Sequence, residues 1–219
     1  MVTFEDIKIN EEINVYIRKA DEILGVLGYT DHSIKHTLRV GYIASKILQE
    51  LEFPEREQEL SKIAAYLHDI GNIVNRSNHA NTGAVLAFTV LNRIGMDPGE
   101  ISIITSAIGN HDEGTGVAVS PVSAAIIIGD KTDVRRSRVR NRDFTTFDIH
   151  DRVNYSVVKS DLTIRAPEKI IALNLVIDTS ICSVLDYFEI FLSRMLMCKR
   201  AAEFLGTNFE LVINNIKLL

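Results

Sequence analysis

The sequence predicts a mainly α-helical bundle followed by a small C-terminal α+β extension. Two features support that class. From the N-terminus to about residue 138, apolar side chains recur three and four positions apart between breaks rich in Gly, Pro and Asn, which is the period of helices with one buried face. Beyond about residue 145 the period changes to alternating and β-branched runs, the pattern of strands. We therefore place a helical unit over 1–145 and an α+β unit over 150–219. A chain of 219 residues accommodates one domain with a small companion, and 46% hydrophobic with 24% charged residues is ordinary globular composition.

In order, Asn10 to Leu27 carries Ile13, Ile17, Ala20, Leu24 and Leu27 among charges, a helix closed by Gly25 or Gly28. Thr30 or Asp31 is placed to cap the next helix, HSIKHTLRVGYIASKILQEL, on which His32 and His36 lie four apart on one face. Pro54 opens a third helix that runs through KIAAYLHDIG, with Ile63, Ala64, Leu67 and Ile70 apolar. A polar loop over Asn72–Asn78 precedes a helix that begins at His79 and ends near Gly95; Asp97-Pro98 starts another, which delivers His111 to its C-terminal end. After the loop HDEGTGVAVS, Pro121 opens an apolar helix containing Asp130. In the extension, Val153, Tyr155 and Val157 alternate with polar residues, and Lys169 to Thr179 is a β-branched run. Both are predicted as strands, joined around Ala166-Pro167 or around Lys159–Asp161. Ser180 is predicted to cap a long helix to Leu205, and FELVINNIKL to form a third strand.

Charge and composition exclude several classes. A net charge of −5 argues against a dedicated nucleic-acid binder. The acidic stretch MVTFEDIKINEE lacks the apolar core of a signal peptide, and the longest apolar stretch, Ile181 to Leu205, is interrupted by Asp186, Glu189 and Arg194, so no membrane span is expected. Cys182 and Cys198 fall within that helical stretch, roughly 24 Å apart at about 1.5 Å per residue. A disulfide is then ruled out, and two free thiols suit the cytoplasm.

The chemistry centres on His68-Asp69. At the end of a buried helix an aspartate is costly unless it is paired or bound to a cation. The helical unit supplies further residues of the same kind near helix ends or on apolar faces, so the candidate metal ligands are His36, His68, Asp69, His79, His111 and Asp130. Imidazoles mixed with carboxylates suit Mn, Fe, Ni, Co or Zn rather than Mg or Ca.

Over roughly Thr30 to Arg138 the sequence resembles the HD-domain metal-dependent phosphohydrolase superfamily. Its signature H…HD…D is matched by His36, His68-Asp69 and Asp130, and the flanks HTLRV, LHDIG and GDKTD are like those of the family. The resemblance implies an HD-type all-helical bundle, with His68 and Asp69 in the catalytic centre. One branch of the family adds two histidines between the doublet and the last aspartate. His79 and His111 stand where those would, which implies six ligands and two divalent transition-metal ions. That branch includes hydrolases of dinucleoside polyphosphates and of cyclic dinucleotides. Asn72 where a lysine often follows HDIG, and His111-Asp112 where the cyclic-dinucleotide enzymes pair two histidines, depart from the latter activity. Two divalent ions against two carboxylates leave the site net positive, so it attracts phosphate; such ions acidify water and offset charge on phosphoryl oxygens. Asp69 is the natural bridging ligand.

Other residues are weighed beside these. His32 is a candidate for substrate phosphate, against a supporting or surface role. Lys131 and Arg135, four apart and at the head of the cationic cluster with Arg136, Arg138, Arg140 and Arg142, are candidate substrate-binding residues, against simple compensation of a helix C-terminus. Asp112 and Glu113 either tune the site or solvate a loop. His150-Asp151 repeats the doublet without an evident helix and is set aside as a metal site.

The expected function is metal-dependent hydrolysis of a phosphoester or phosphoanhydride, with a phosphorylated small molecule, a nucleotide, as substrate. The alternative is an HD module that binds a nucleotide or partner without turnover. A homo-oligomer formed through the extension is the expected self-association.

Overall fold

Seven helices form the N-terminal part of the computed structural model, which describes residues 1–219: α1 (Phe4–Lys8), α2 (Glu11–Val26), α3 (Ile34–Glu50), α4 (Glu55–Leu67), α5 (His79–Arg93), α6 (Pro98–Gly109) and α7 (Pro121–Lys131). Asn10, Asp97 and Ser120 cap α2, α6 and α7, each accepting from backbone N–H groups of the first turn. The cap of α3 is Ser33, not Thr30 or Asp31. Asp31 is occupied elsewhere: its carboxylate accepts from Ser33 Oγ and its N–H donates to Arg138 O.

The bundle centre is α3 packed against α4 and α7. Gly129 lets α7 approach α3, since a Cβ there would lie 2.9 Å from Val40 O. This close crossing brings the helix carrying His36 beside the helix carrying Asp130.

The extension begins with α8 (Ile149–Ser156) and continues as β1 (Val157–Arg165), β2 (Ile170–Ile177), α9 (Val184–Phe204), β3 (Asn208–Ile213) and β4 (Ile216–Lys217). Sheet order is β1-β2-β3-β4; β1 and β2 form an antiparallel hairpin through Ala166–Glu168, α9 is the crossover to a parallel β3, and β4 returns antiparallel. Val153 and Tyr155 are helical, contrary to the alternation in the sequence, because Asp148 caps the segment by accepting from Asp151 N. Ser183, not Ser180, caps α9 in a reciprocal box with Asp186, while Ser180 is bonded to Asp178. Cys182 therefore lies just before α9; it and Cys198 are both buried free thiols.

Alternation within the strands turns Ile171, Leu173, Leu175 and Ile177 of β2, with Phe209, Leu211 and Ile213 of β3, inward. They join Tyr187, Phe191, Met195 and Cys198 of α9 in one apolar core that continues without a seam to Val40 and Ile126–Ile128 of the bundle. The link is α9, which lies on α7. No helix is long and apolar enough to cross a membrane.

Truncation after Asp148 removes this cover from α7. The shortened chain is expected to aggregate or change its molecular mass, as read by size exclusion with light scattering. A truncated bundle that keeps its helical circular dichroism and the full-length protein's oligomeric state contradicts the shared-core account.

Candidate metal centre

Five helices deliver the six residues to one place. His36 is on the first turn of α3, His68 caps α4, and Asp69 follows in bridge-region backbone (φ −97°, ψ 3°) before a 3₁₀ turn over Ile70–Ile73. His79 opens α5, His111 lies just past α6, and Asp130 is in the last turn of α7. Gly71 makes the turn after the doublet possible: a Cβ there would sit 2.0 Å from His79 O. The segment bearing Asp69 is thus pressed directly onto the start of α5.

The histidines share one hydrogen-bonding plan. Each Nδ1–H donates to an oxygen: His36 to Asp133 Oδ2 at 2.8 Å, His68 to Ala65 O at 2.7 Å, His79 to Arg76 O at 3.0 Å and His111 to Ile108 O at 2.6 Å. Carbonyl oxygens only accept, so in three of the four the δ nitrogen must carry the proton. The ε nitrogens are left facing the centre, the arrangement that orients imidazole ligands toward a metal.

Asp69 lies between these rings. Its Oδ2 is 3.0 Å from His68 Nε2 and 3.9 Å from His36 Nε2, while its Oδ1 is 3.5 Å from His79 Nε2 and 3.9 Å from His111 Nε2. Asp130 Oδ1 completes the first set, 3.3 Å from His36 Nε2 and 3.7 Å from His68 Nε2. The carboxylate of Asp69 is oriented by Asn72, whose amide donates to Oδ1 at 2.9 Å and also to Asp69 O.

The donors fit a divalent cation. The Nε2 atom of His36 is buried with no hydrogen-bond partner, an expensive state unless a cation is there to receive the lone pair, and His68 Nε2 faces carboxylate oxygens alone. His79 Nε2 and His111 Nε2 stand 3.1 Å apart. With both δ nitrogens protonated, their lone pairs face each other, and two donors each about 2.0–2.1 Å from one ion have that spacing.

The electrostatics agree. Burial alone would raise Asp69 and Asp130, but the His68 ring beside Asp69 and the Lys131 ammonium beside Asp130 hold both carboxylates well below their usual range. Burial works against charge on His68, yet the facing Asp69 and Asp130 outweigh it and push the ring up to about 10. Burial lowers His79, and burial with the neighbouring His68 lowers His111 to about 3, so those two are neutral. Without a metal, the proton on His68 is the cation that the carboxylates demand.

His32 lies on the wall of the same cavity, Nδ1 2.6 Å from Thr30 O, its ring centroid 5.5 Å from that of His36. Lys131 is there too, its Nζ 2.6 Å from Asp130 Oδ2. Arg135 is not. Helix α7 ends at Lys131, so the expected four-residue spacing on one face is lost, and Arg135 turns away to bond Asp133 Oδ1 at 2.7 Å. His150 is helical, on α8, and reaches the cavity mouth without joining the ligand cluster.

Asp133, Arg76 and Arg194 were not singled out as site residues by sequence. Asp133 is completely buried between His36, Arg39, Arg135 and Arg138, which hold it ionised well below its usual range against the effect of burial. Its only sequence signal was its place three residues after Asp130. Arg76 lies 3.7 Å from Asp69 Oδ1 and packs on the Tyr29 ring.

The chain is similar to known proteins in three comparisons. The family model described as "HD domain" matches residues 33–152. The uncharacterized protein MJ1020 of Methanocaldococcus jannaschii is 27% identical over 159 residues, covering 63% of this chain and 61% of that protein, so the match spans about three fifths of the relative's length. The crystal structure of a predicted HD superfamily hydrolase from an uncultured Thermotogales bacterium matches with 26% identity and a TM-score of 0.45, over 57% of this chain and 68% of that one.

Two outcomes test this geometry. A metal entering beside His68 must displace the ring proton, while Asp69, Asp130, His79 and His111 already hold their binding forms. Affinity should therefore rise about tenfold per pH unit between roughly pH 6 and 9, with one proton released, as titration calorimetry in buffers of different ionisation heat would read. A pH-independent affinity contradicts the assignment. Gly71→Ala is expected to cost about 1–3 kcal/mol in unfolding free energy and to lower metal content, because the new methyl pushes Asp69 away from α5; unchanged metal content would show that the close approach does not position the site.

Proposed function

The chain belongs to the HD-domain family, and from that premise we propose that it is a metal-dependent phosphohydrolase of phosphoesters or phosphoanhydrides, with a nucleotide as substrate. The observation that carries this reading is the division of Asp69: one oxygen faces His36, His68 and Asp130, the other faces His79 and His111. In such an arrangement His36, His68 and Asp130 would hold one ion and His79 and His111 a second, with Asp69 available to both. Divalent ions held there would acidify water and neutralise charge on phosphoryl oxygens, the requirement of in-line phosphoryl displacement.

The chain's own groups do the rest. Asn72 and Arg76 hold Asp69 in the orientation that presents both oxygens. The carbonyls of Ala65, Arg76 and Ile108 and the carboxylate of Asp133 keep the imidazoles in one tautomer, so no ring must turn during turnover. Lys131 and Arg76 place positive charge beside the two carboxylates and suit the oxygens of a bound phosphoryl group. The cavity has a volume of about 340 Å³, near the low end of the roughly 300–1,000 Å³ of small-molecule sites. One nucleotide-sized molecule suits that space better than a long polymer.

Elemental analysis is expected to approach two ions per chain, with His79→Ala and His111→Ala losing the second ion first. Asp69→Ala should abolish hydrolysis across a panel of phosphoesters and nucleotides and strip most of the metal while helicity is retained. A parent that saturates at one ion, with both histidine variants turning over normally, rules out the dinuclear reading. Tight nucleotide binding with no turnover under any metal would instead favour a regulatory module.

A further inference from the structure

The cavity over the metal centre is not built by the bundle alone. Asp148, His150, Asp151 and Asn154 of the α8 segment and Phe191 and Arg194 of α9 form part of its wall. Helix α9 lies wholly outside the residues 33–152 that match the family model, so the family match does not account for its contribution.

Charge is arranged by depth in this cavity. At the floor, Asp69, Asp130 and Lys131 have side chains only 8%, 12% and 5% exposed. On the wall stand Arg76 and Arg194, at 24% and 28%. At the mouth are His150 and Asp148, 60% and 63% exposed, with Asp151 beside them. A substrate reaching the metals therefore passes carboxylates, then guanidinium groups.

Among the cations, Arg194 is the one best arranged to hold an anion. Arg138 is buried and committed, donating from Nε to Asp31 O and from a terminal nitrogen to Asp133 O. Lys131 is tied to Asp130, and Arg76 donates to Asn72 Oδ1 at 3.3 Å with the same nitrogen 3.7 Å from Asp69 Oδ1. Arg194 is anchored differently: its Nε pairs with Glu113 and its guanidinium packs over the Phe191 ring, 4.6 Å from the centroid. These contacts immobilise the plane while leaving both terminal nitrogens, the pair that engages a phosphate in bidentate fashion. Glu113 follows His111 by two residues, so the anchor ties α9 to a ligand-bearing loop.

We propose that the extension is the specificity element of this site: Arg194 grips the phosphoryl group, and Asp148 and Asp151 restrict the substrate to phosphomonoesters of uncharged or cationic alcohols. The proposal rests on the phosphohydrolase reading for the position of the phosphate. A nucleoside monophosphate or another polar monoester places its only anionic group at the floor and a neutral body at the mouth. A polyphosphate leaving group would instead extend from the floor into the two carboxylates, where like charges repel. Asp148 also caps α8 by accepting from Asp151 N, a role that asparagine fills equally well. Substitution by Asn therefore removes the charge and keeps the helix.

The test is binding rather than turnover. Inorganic phosphate is titrated calorimetrically into the metal-loaded full-length protein and into Arg194→Ala and Arg194→Lys, with thermal unfolding followed in parallel. Arg194→Ala should weaken phosphate about tenfold or more, and Arg194→Lys should recover part of the loss, since the hydrogen bond is made to a charged group. Adenosine 5′-monophosphate and adenosine 5′-triphosphate are then compared as competitors of phosphate at fixed free metal. The parent should favour the monophosphate, and the Asp148→Asn/Asp151→Asn double variant should lose most of that preference. Phosphate affinity unchanged in both Arg194 variants, or a triphosphate preference in the parent, overturns the proposal. If Arg194→Ala fails to fold, Arg194→Lys decides, since full phosphate affinity there excludes a bidentate grip. A protein that binds phosphate through Arg194 but hydrolyses nothing would sink the hydrolase reading alone, whereas one that hydrolyses phosphoesters with Arg194→Ala at parental phosphate affinity would sink this inference alone.

Discussion

The carboxylate of Asp69, held among four imidazoles whose ε nitrogens all face the centre, is the constraint on which the rest of this structure depends. An ionised carboxylate removed from water is costly by itself, and so is a buried nitrogen lone pair with no donor. Here the two liabilities are assembled within 4 Å of each other, and one cation relieves both. The fold around them serves to keep the groups from relaxing. Backbone carbonyls or Asp133 occupy every Nδ1, Asn72 occupies Asp69, and the α3–α7 crossing at Gly129 and the Gly71 contact with α5 hold the backbones close.

That rigidity comes from an aliphatic core. Ile63, Ala64, Leu67 and Ile70 surround the doublet, and Ile126, Ile127 and Ile128 precede Asp130, all essentially inaccessible to water. Such residues make no demand for hydrogen bonds, so the polar groups of the centre face only one another. A charged cluster in a bundle this apolar needs partners of opposite sign close by, and Lys131, Arg76 and Arg138 provide them. The charge of His68 beside Asp69 and of Lys131 beside Asp130 explains why those two carboxylates stay ionised despite burial.

The helices of the bundle and the six ligand-type residues were legible in the sequence because both leave local marks. Period, caps and prolines define the helices, and His or Asp on an apolar face has no bland duty to perform. What local pattern could not convey is how the pieces meet. Arg135 was placed by helical spacing from Lys131, but α7 stops at Lys131, and one missing turn sent the guanidinium to Asp133. Val153 and Tyr155 alternate like a strand, yet Asp148 starts a helix there, a case in which a cap outweighs a short alternating run. Asp133 and Arg194 escaped notice for a different reason. Their roles depend on contacts across 97 and 81 residues of chain, with His36 and Glu113, and no spacing rule spans such distances.

The extension shows how a common bundle acquires a particular pocket. Its sheet buries one face against α9, and α9 buries one face against α7, so the added core stabilises the same helix that carries Asp130. A helix packed so firmly on a ligand-bearing element holds its own side chains at fixed depth beside the metal centre. Met195 on α9 is buried in the core while Arg194, its neighbour, lines the cavity, so packing of one residue positions the next. Elements attached for stability in this way also wall the cavity over the ligand cluster, so the packing of the extension fixes the sides of a site whose floor belongs to the bundle.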